Sequence, residues 1–308
     1  MKFPEKITVC EVGLRDGLQN EETILSVEQK LEVLRDLIDA GFKVIEVGSF
    51  MHPKKVPQMA NTDEVYKELG SVEGVELRAL IPNLRGIQRA IDCGCKKVKL
   101  NVSASRQHNL KNLNMTPEES VAGFAGCVQA AIDNSIEISG SISMPFASPW
   151  EGLIPVEDVD SIIEAYLNVG INEISLSDAS GMATPAQVYS LCCHVKEKYP
   201  EAAWWLHFHN TRGLAMANIV SAMEAGMTRF DSSIGGLGGC PFVPDAAGNI
   251  SSEDVLHMLE ADGIETGVDL VKVMAVSRKL REMLGKDSMD SYVLRAGRNE
   301  DLIQSKSE

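Results

Sequence analysis

Short runs of apolar and β-branched residues recur along the chain, separated by longer segments with a helical pattern. Each run predicts a strand, and the eight runs begin at Lys6, Lys43, Glu76, Lys97, Ile136, Glu173, Ala202 and Arg229. Between them, apolar residues recur at the 3.6-residue spacing of an amphipathic helix, as in SVEQKLEVLRDLIDAG from Ser26 to Gly41. Strands that alternate with helices predict a parallel sheet covered by helices.

Glycines and capping residues mark the ends of the predicted helices. The glycines that close a helix directly before a strand are Gly41, Gly94, Gly170 and Gly226. Candidate N-caps are Thr116, Thr184 and Ser251. Eight strand–helix units favour an α/β fold of the (β/α)8 TIM-barrel class over a doubly wound sheet, which commonly has five or six strands. An additional C-terminal helix follows from Gly267, and a loose polar stretch is expected from Arg295.

The composition is that of one globular domain without a linker. We expect residues 1–308 to form a single catalytic domain, with 267–308 as a C-terminal helical extension and tail. The net charge of −15 argues against a nucleic-acid partner. The seven cysteines have no disulfide framework, and we see no leader or 18-residue apolar run. A cytoplasmic protein without a membrane anchor is expected.

Polar residues cluster where the predicted strands end. Catalytic groups of TIM barrels lie at the carboxyl ends of the strands. The residues at these positions are Arg15, Asp16, Glu46, Ser49, Asn101, Ser103, Asp178, His207, His209, Cys240 and Asn249. Their coincidence at one end predicts an enzyme site.

The motif LHFHNTRG places two histidines in one strand. Residues i and i+2 of a strand share a face, so His207 and His209 both point toward the barrel axis. Two hydrogen-bonded core histidines are one explanation. A metal site completed by Asp16 and Asn249 is the other, and its mixed nitrogen and oxygen ligands suit Mg²⁺ or Mn²⁺ better than a closed thiolate zinc site.

Two further motifs hold reactive groups. GGLGGCPF surrounds Cys240 with glycine and proline, which is typical of a loop at the reactive end rather than of a packed element. A thiol there can donate a proton or act as a nucleophile. In EVGLRDGLQN, Arg15 precedes Asp16, and its guanidinium is either part of a surface pair or a group that stabilises an oxyanion.

Four motifs, LRDGLQNE, IEVGSF with PKKVPQMAN, HFHNTRG and GGLGGCPF with PDAAGN, resemble those of the 3-hydroxy-3-methylglutaryl-CoA lyase family. The likeness runs from about Lys6 to about Leu284. It implies a metal-dependent (β/α)8 lyase that cleaves a tertiary 3-hydroxyacyl-CoA, with acetyl-CoA and acetoacetate as the expected products. It also implies a homodimer.

The resemblance implies roles for individual residues. The expected ligands of Mg²⁺ or Mn²⁺ are Asp16, His207, His209 and Asn249. Arg15 is similar to the substrate-polarising arginine and Cys240 to the acid/base cysteine. Glu46 and Asp178 match acids of the pocket wall that are expected to support Arg15 and the metal ligands. Expected substrate contacts are Arg15, Gln19, Asn112 and Asp178. His207 is preferred over Asp16 as the base, and the candidate cations for the CoA phosphates are Lys54, Lys55, Arg106 and Lys111.

The chain departs from the family at two motifs. Human-type members have His-Cys-His-Asp-Thr where this chain has HFHNT from His207, and they have GCPYEG where it has FASPWEG from Phe146. These changes leave open a related substrate such as citramalyl-CoA, which gives acetyl-CoA and pyruvate. A condensing synthase of the isopropylmalate type and a non-enzymatic binding protein are the remaining alternatives, and the cysteine loop argues against the synthase.

Overall fold

All eight predicted strands form, and they pair in parallel around a closed barrel, which confirms the (β/α)8 prediction. The computed structural model describes residues 3–239 and 248–304. The strands are β1 (Thr8–Glu11), β2 (Val44–Ser49), β3 (Glu76–Ile81), β4 (Lys97–Ser103), β5 (Glu137–Ser143), β6 (Glu173–Asp178), β7 (Ala203–Phe208) and β8 (Arg229–Ser232).

Helices separate the strands and cover the outside of the barrel. They are α1 (Val27–Asp39), α2 (Thr62–Leu69), α3 (Leu84–Asp92), α4 (Arg106–Leu113), α5 (Pro117–Ala122), α6 (Phe124–Asp133), α7 (Val156–Asn168), α8 (Pro185–Lys198), α9 (Ala215–Glu224), α10 (Ser252–Ala261), α11 (Leu270–Leu284), α12 (Tyr292–Ala296) and α13 (Asn299–Gln304). A short antiparallel ladder joins 147–148 to 152–153. In the described ranges, no helix has both the length and the apolar character needed to span a bilayer.

The three predicted N-caps each precede a helix, namely Thr116, Thr184 and Ser251. Ser26 begins α1 with a capping box, in which its hydroxyl accepts from the Gln29 amide at 3.2 Å. Gly41 ends the turn after α1 with φ of 106°. A Cβ at Gly41 would lie 2.3 Å from the carbonyl oxygen of Gly267, so only glycine fits this passage into β2.

The C-terminal stretch from Arg295 is partly helical, because α13 forms within it. The expectation of a loose stretch is therefore corrected. The carboxylate of Asp254 accepts from Ser291 Oγ at 2.9 Å and from the amides of Tyr292 and Val293, and so holds the start of α12. At the start of α13, Arg298 Nη2 donates to Asp301 Oδ1 at 2.8 Å. Polar contacts of this kind, one set between residues 37 to 39 positions apart and one between near neighbours, leave no apolar spacing from which a helix could be predicted.

Tyr166 of α7 attaches the outer layer to the barrel between β4 and β5. Its hydroxyl donates to the Leu100 carbonyl oxygen at 2.8 Å and accepts from the Ser141 amide at 3.3 Å. A Cβ at Gly140 would lie 2.9 Å from the tyrosine ring, so glycine makes room for it. The hydroxyl therefore satisfies backbone groups in a place that water does not reach.

Replacing Tyr166 with phenylalanine should lower the free energy of unfolding by about 1–3 kcal/mol, because buried backbone groups lose a partner. Urea denaturation measures this change. Tyr292→Phe is the matched control, since Tyr292 is 65% exposed, and it should change stability by less than about 0.5 kcal/mol. Equal losses in the two variants would contradict the assigned role of the Tyr166 hydroxyl.

Candidate active site

A tight turn after β1 presents Arg15 and Asp16 at the mouth of the barrel. Residues Gly13–Gly17 form one turn of π-helix, in which the carbonyl oxygen of Val12 accepts from the Gly17 amide at 3.2 Å. Buried Glu11 accepts from the amides of Gly13 at 2.7 Å and Ile234 at 2.9 Å. Burial raises the pKa of Glu11 to about 8. This carboxyl group ties the turn to the chain that follows β8.

The two histidines face Asp16 from β7. His209 Nε2 lies 3.3 Å and His207 Nε2 3.8 Å from Asp16 Oδ2, and the two imidazole rings have their centroids 5.1 Å apart. All three side chains are buried. The predicted convergence of these residues is therefore present. His209 faces Asp16 and His207 faces Asp231, so a role of the two histidines as metal ligands stays a proposal.

Asn249 reaches the same place through backbone pairing at the end of β7. His209 and Asn249 form an antiparallel bridge, and the Asn249 side-chain amide donates to Asp16 Oδ2 at 2.8 Å and to the Leu237 carbonyl oxygen at 3.0 Å. A Cβ at Gly238 would lie 2.4 Å from this amide nitrogen. In this arrangement Asn249 is a donor to Asp16, and its predicted role as a metal ligand stays a proposal.

The donor set fits a divalent cation. One carboxylate oxygen of Asp16 and one nitrogen each of His207 and His209 lie within 4.8 Å of one another. Among the described residues no other trio of His, Cys, Asp or Glu side chains comes together in this way. Burial alone would raise the pKa of Asp16, but Arg15 and the two imidazoles hold it well below its usual range. An ionised carboxylate with two imidazoles is a set that first-row divalent metals bind.

Arg15 lies between two carboxylates. Its Nε contacts Glu46 and its Nη1 contacts Asp16, which confirms the predicted proximity of Glu46 to Arg15. Burial opposes ionisation of Glu46, yet Arg15 and Lys99 keep its pKa below the usual range. The guanidinium is thus held in one orientation at the mouth of the barrel.

Two charged residues of the site were missed by the sequence analysis. Lys99 of β4 forms an ion pair with Glu46 Oε2 at 2.6 Å, and Asp231 of β8 lies 3.2 Å from His207 Nδ1. Both are buried. The sequence of β4 could have indicated Lys99. Polar residues recur at every second position there, as Lys97, Lys99 and Asn101, so they share one face of a strand that is buried on both sides.

The site opens into a cavity of about 480 Å³, a size typical of small-molecule sites. Six predicted substrate or metal residues line it, namely Arg15, Asp16, Gln19, Asn112, His207 and His209. Its wall also contains Asn101, Ser141, Ser143 and Ser177, of which the three last were not predicted. Gly239 lines the cavity as well. Cys240 lies outside the described residues.

Two of the four candidate phosphate-binding cations line this cavity. They are Lys55 and Lys111. Lys54 does not line it, and Arg106 forms an exposed ion pair with Glu118 at 2.9 Å. Lys55 and Lys111 therefore remain as the candidate residues for binding the CoA phosphates.

Asp178 lies behind the cavity wall. Its carboxylate accepts from Ser180 Oγ at 2.9 Å and from the amides of Met182 and Ala183 at 3.1 and 2.9 Å. The side chain is buried, and burial raises its pKa. The predicted substrate contact is not supported, because its oxygens are used to hold the loop after β6.

Comparison with known proteins agrees with this geometry. The family model described as HMGL-like matches residues 6–280. The hydroxymethylglutaryl-CoA lyase YngG of Bacillus subtilis is 39% identical over 286 residues, which is 93% of this chain and 96% of that protein. The hydroxymethylglutaryl-CoA lyase of Pseudomonas mevalonii is 39% identical over 91% of this chain and 93% of its own length.

A solved structure of an HMG-CoA lyase is similar to this chain in both sequence and fold. The HMG-CoA lyase from Acinetobacter baumannii was solved in complex with coenzyme A and 3-methylmalate. It superposes on this chain with a TM-score of 0.93 at 41% sequence identity, and the match covers 98% of each chain. The chain belongs to the HMGL-like family.

Replacing His209 with alanine should remove one of three converging ligands and weaken Mn²⁺ binding by more than about 100-fold. Loss of a residue that only hydrogen-bonds to a ligand usually weakens metal binding by about 10–100-fold, and loss of a ligand itself should cost more. Isothermal titration calorimetry on metal-depleted protein measures the affinity. His52→Ala is the control, since His52 is exposed and is not one of the three converging residues, and it should bind as the parent does. Unchanged affinity in the His209 variant would exclude His209 as a ligand.

Proposed function

We propose that this member of the HMGL-like family is a divalent-metal-dependent carbon–carbon lyase that cleaves 3-hydroxy-3-methylglutaryl-CoA into acetyl-CoA and acetoacetate. The observation that carries the proposal is the convergence of Asp16, His207 and His209 with Arg15 at one end of a cavity. The relatives of similar length are HMG-CoA lyases, and the A. baumannii lyase was solved with coenzyme A.

The metal is Mg²⁺ or Mn²⁺ in this proposal, held by Asp16, His207 and His209. Asn249 is the fourth candidate ligand, and its amide must turn to present oxygen, because its nitrogen faces Asp16 in this structure. When bound, a divalent ion at this position would supply Lewis acidity that lowers the pKa of an alcohol or polarises a carbonyl group.

The cleavage requires a base for the C3 hydroxyl of the substrate. The base takes the hydroxyl proton, the C2–C3 bond breaks, C3 becomes the ketone carbon of acetoacetate, and the electron pair leaves on C2 as the enolate of acetyl-CoA. Asp16 is a poor base, because Arg15 and the imidazoles keep its pKa well below the usual range. His207 is therefore preferred, and because its Nδ1 faces Asp231, only Nε2 can accept the proton. The Nε2 lone pair binds either the metal or the proton, so His207 acts as the base only while this lone pair is free of the ion.

Arg15 and Cys240 complete the proposed reaction. Glu46 and Asp16 hold the Arg15 guanidinium beside the cavity, where it can stabilise the negative charge on the thioester oxygen of the enolate. Cys240 then delivers a proton to C2 and releases neutral acetyl-CoA. Its neighbour Gly239 lines the cavity and accepts from Asn20 Nδ2 at 2.8 Å, which supports this role.

Four further residues are proposed to bind the acyl-CoA outside its reacting carbon atoms. Gln19 and Asn112 are proposed to contact the acyl-CoA, and Lys55 and Lys111 to attract its phosphates. A cytoplasmic location, a single catalytic domain over 1–308 and a homodimer remain predictions from the sequence.

Purified protein with Mg²⁺ or Mn²⁺ should convert 3-hydroxy-3-methylglutaryl-CoA to acetyl-CoA and acetoacetate, and a chelator should abolish the activity until metal is restored. Chromatographic detection of both products measures the reaction. Citramalyl-CoA is assayed in parallel, because the chain departs from the family after β5 and β7. Rapid cleavage of citramalyl-CoA without turnover of the first substrate would replace the proposed substrate, and no cleavage of either thioester would contradict the lyase proposal.

Replacing Cys240 with serine should lower turnover by about 10²–10⁴-fold, the usual contribution of a positioned acid or base, without weakening Mn²⁺ binding. Steady-state rates and calorimetric titration give the two quantities. Cys193→Ser is the matched control, because this cysteine is in α8 and does not line the cavity. A Cys240 variant with parental turnover would exclude the thiol from the reaction.

A further inference from the structure

A closed ring of charged and ionisable side chains lies in the interior of the barrel, next to the cavity. Asp231 Oδ2 lies 3.2 Å from His207 Nδ1 and 3.4 Å from Lys99 Nζ. Lys99 Nζ lies 2.6 Å from Glu46 Oε2, Glu46 contacts Arg15, and Arg15 contacts Asp16. The ring closes from Asp16 to His207 Nε2 at 3.8 Å.

Lys99 and Asp231 exchange no proton with the substrate in the reaction proposed above. Neither lines the cavity, and each is only 2% exposed. Buried charges persist when they are paired, since leaving one without a partner is strongly unfavourable. These two residues are therefore placed to act on the site through the side chains they contact, rather than by touching substrate.

The two histidines of the site have different surroundings. His207 Nδ1 faces a carboxylate, whereas His209 Nδ1 is buried and has no hydrogen-bond partner among the described residues. His209 instead directs Nε2 toward Asp16 Oδ2 at 3.3 Å. A neutral imidazole has one N–H and one lone pair, and the acceptor that it meets decides which nitrogen keeps the proton.

We infer that Asp231 is a positioning residue that keeps the proton of His207 on Nδ1, so that the lone pair on Nε2 points at Asp16 and into the site. Lys99 holds Asp231 and Glu46 at a fixed separation and thereby joins the histidine side of the site to the Arg15 side. This inference rests on the proposed function for the use of that lone pair, as a metal ligand or as a base. The arrangement itself is a property of the metal-free protein.

The inference is tested first without any substitution. In metal-free protein labelled with ¹⁵N-histidine, long-range ¹H–¹⁵N NMR spectra at about pH 8, above the usual histidine pKa, report the tautomer of each ring. The chain has six histidines, and His207→Gln identifies the His207 signals. His207 should carry its proton on Nδ1 and His209 on Nε2. A proton on Nε2 of His207 would overturn the inference.

The second test is Asp231→Asn, which removes the charge that holds the His207 N–H. Its affinity for Mn²⁺, measured by calorimetry, should fall about 10–100-fold, as is usual for the carboxylate partner of a ligating histidine. Parental affinity together with an unchanged His207 tautomer would overturn the inference. If the variant does not fold, the NMR result on the parent protein decides the question.

The chain offers a chemically matched control. Asp160 of α7 lies 2.9 Å from His194 Nε2 and 2.7 Å from Lys198 Nζ, so Asp160→Asn changes a similar Asp–His–Lys cluster away from the cavity. It should leave Mn²⁺ affinity unchanged. Both tests are independent of substrate. Loss of lyase activity against all thioesters with the expected tautomer and Mn²⁺ results would therefore reject the proposed function and retain the inference.

Discussion

The buried carboxylate of Asp16 is the feature on which the site depends. Arg15 and two imidazoles surround it and keep its pKa well below the usual range, so it remains ionised where burial alone would neutralise it. Because β1 and β7 contribute these groups from separate parts of the barrel, the arrangement exists only when the strands have closed in the correct register. The ionised carboxylate of Asp16 therefore depends on correct closure of the barrel, and the candidate metal site depends on that carboxylate.

Most of the fold was predictable, because its strongest signals are local. The strands have dense β-branched runs, and the helix ends at Thr116, Ser251 and Gly41 follow from backbone chemistry that one or two residues determine. The π-helical turn at Gly13–Gly17 and helix α13 were not predicted. Their formation depends on contacts such as Glu11 with Ile234, which join residues distant in sequence, or on short polar contacts without an apolar period.

The candidate site was predictable to the extent that its residues lie at the ends of strands. Arg15, Asp16, His207 and His209 come together as expected. Lys99 and Asp231 were missed, because a charge inside a strand is acceptable only when its partner comes from another strand, and 132 positions separate these two residues. The orientation of the Asn249 amide and the position of Asp178 behind the wall depend on backbone groups of nearby loops, which no sequence spacing encodes.

The central claim is that one divalent ion binds between β1 and β7, and diffraction data from crystals soaked with Mn²⁺, collected at the manganese absorption edge, test it most directly. The account predicts an anomalous peak about 2.0–2.5 Å from one oxygen of Asp16 and from one nitrogen each of His207 and His209. A fully soaked crystal with no peak there, or with the ion bound elsewhere in the barrel, would contradict it.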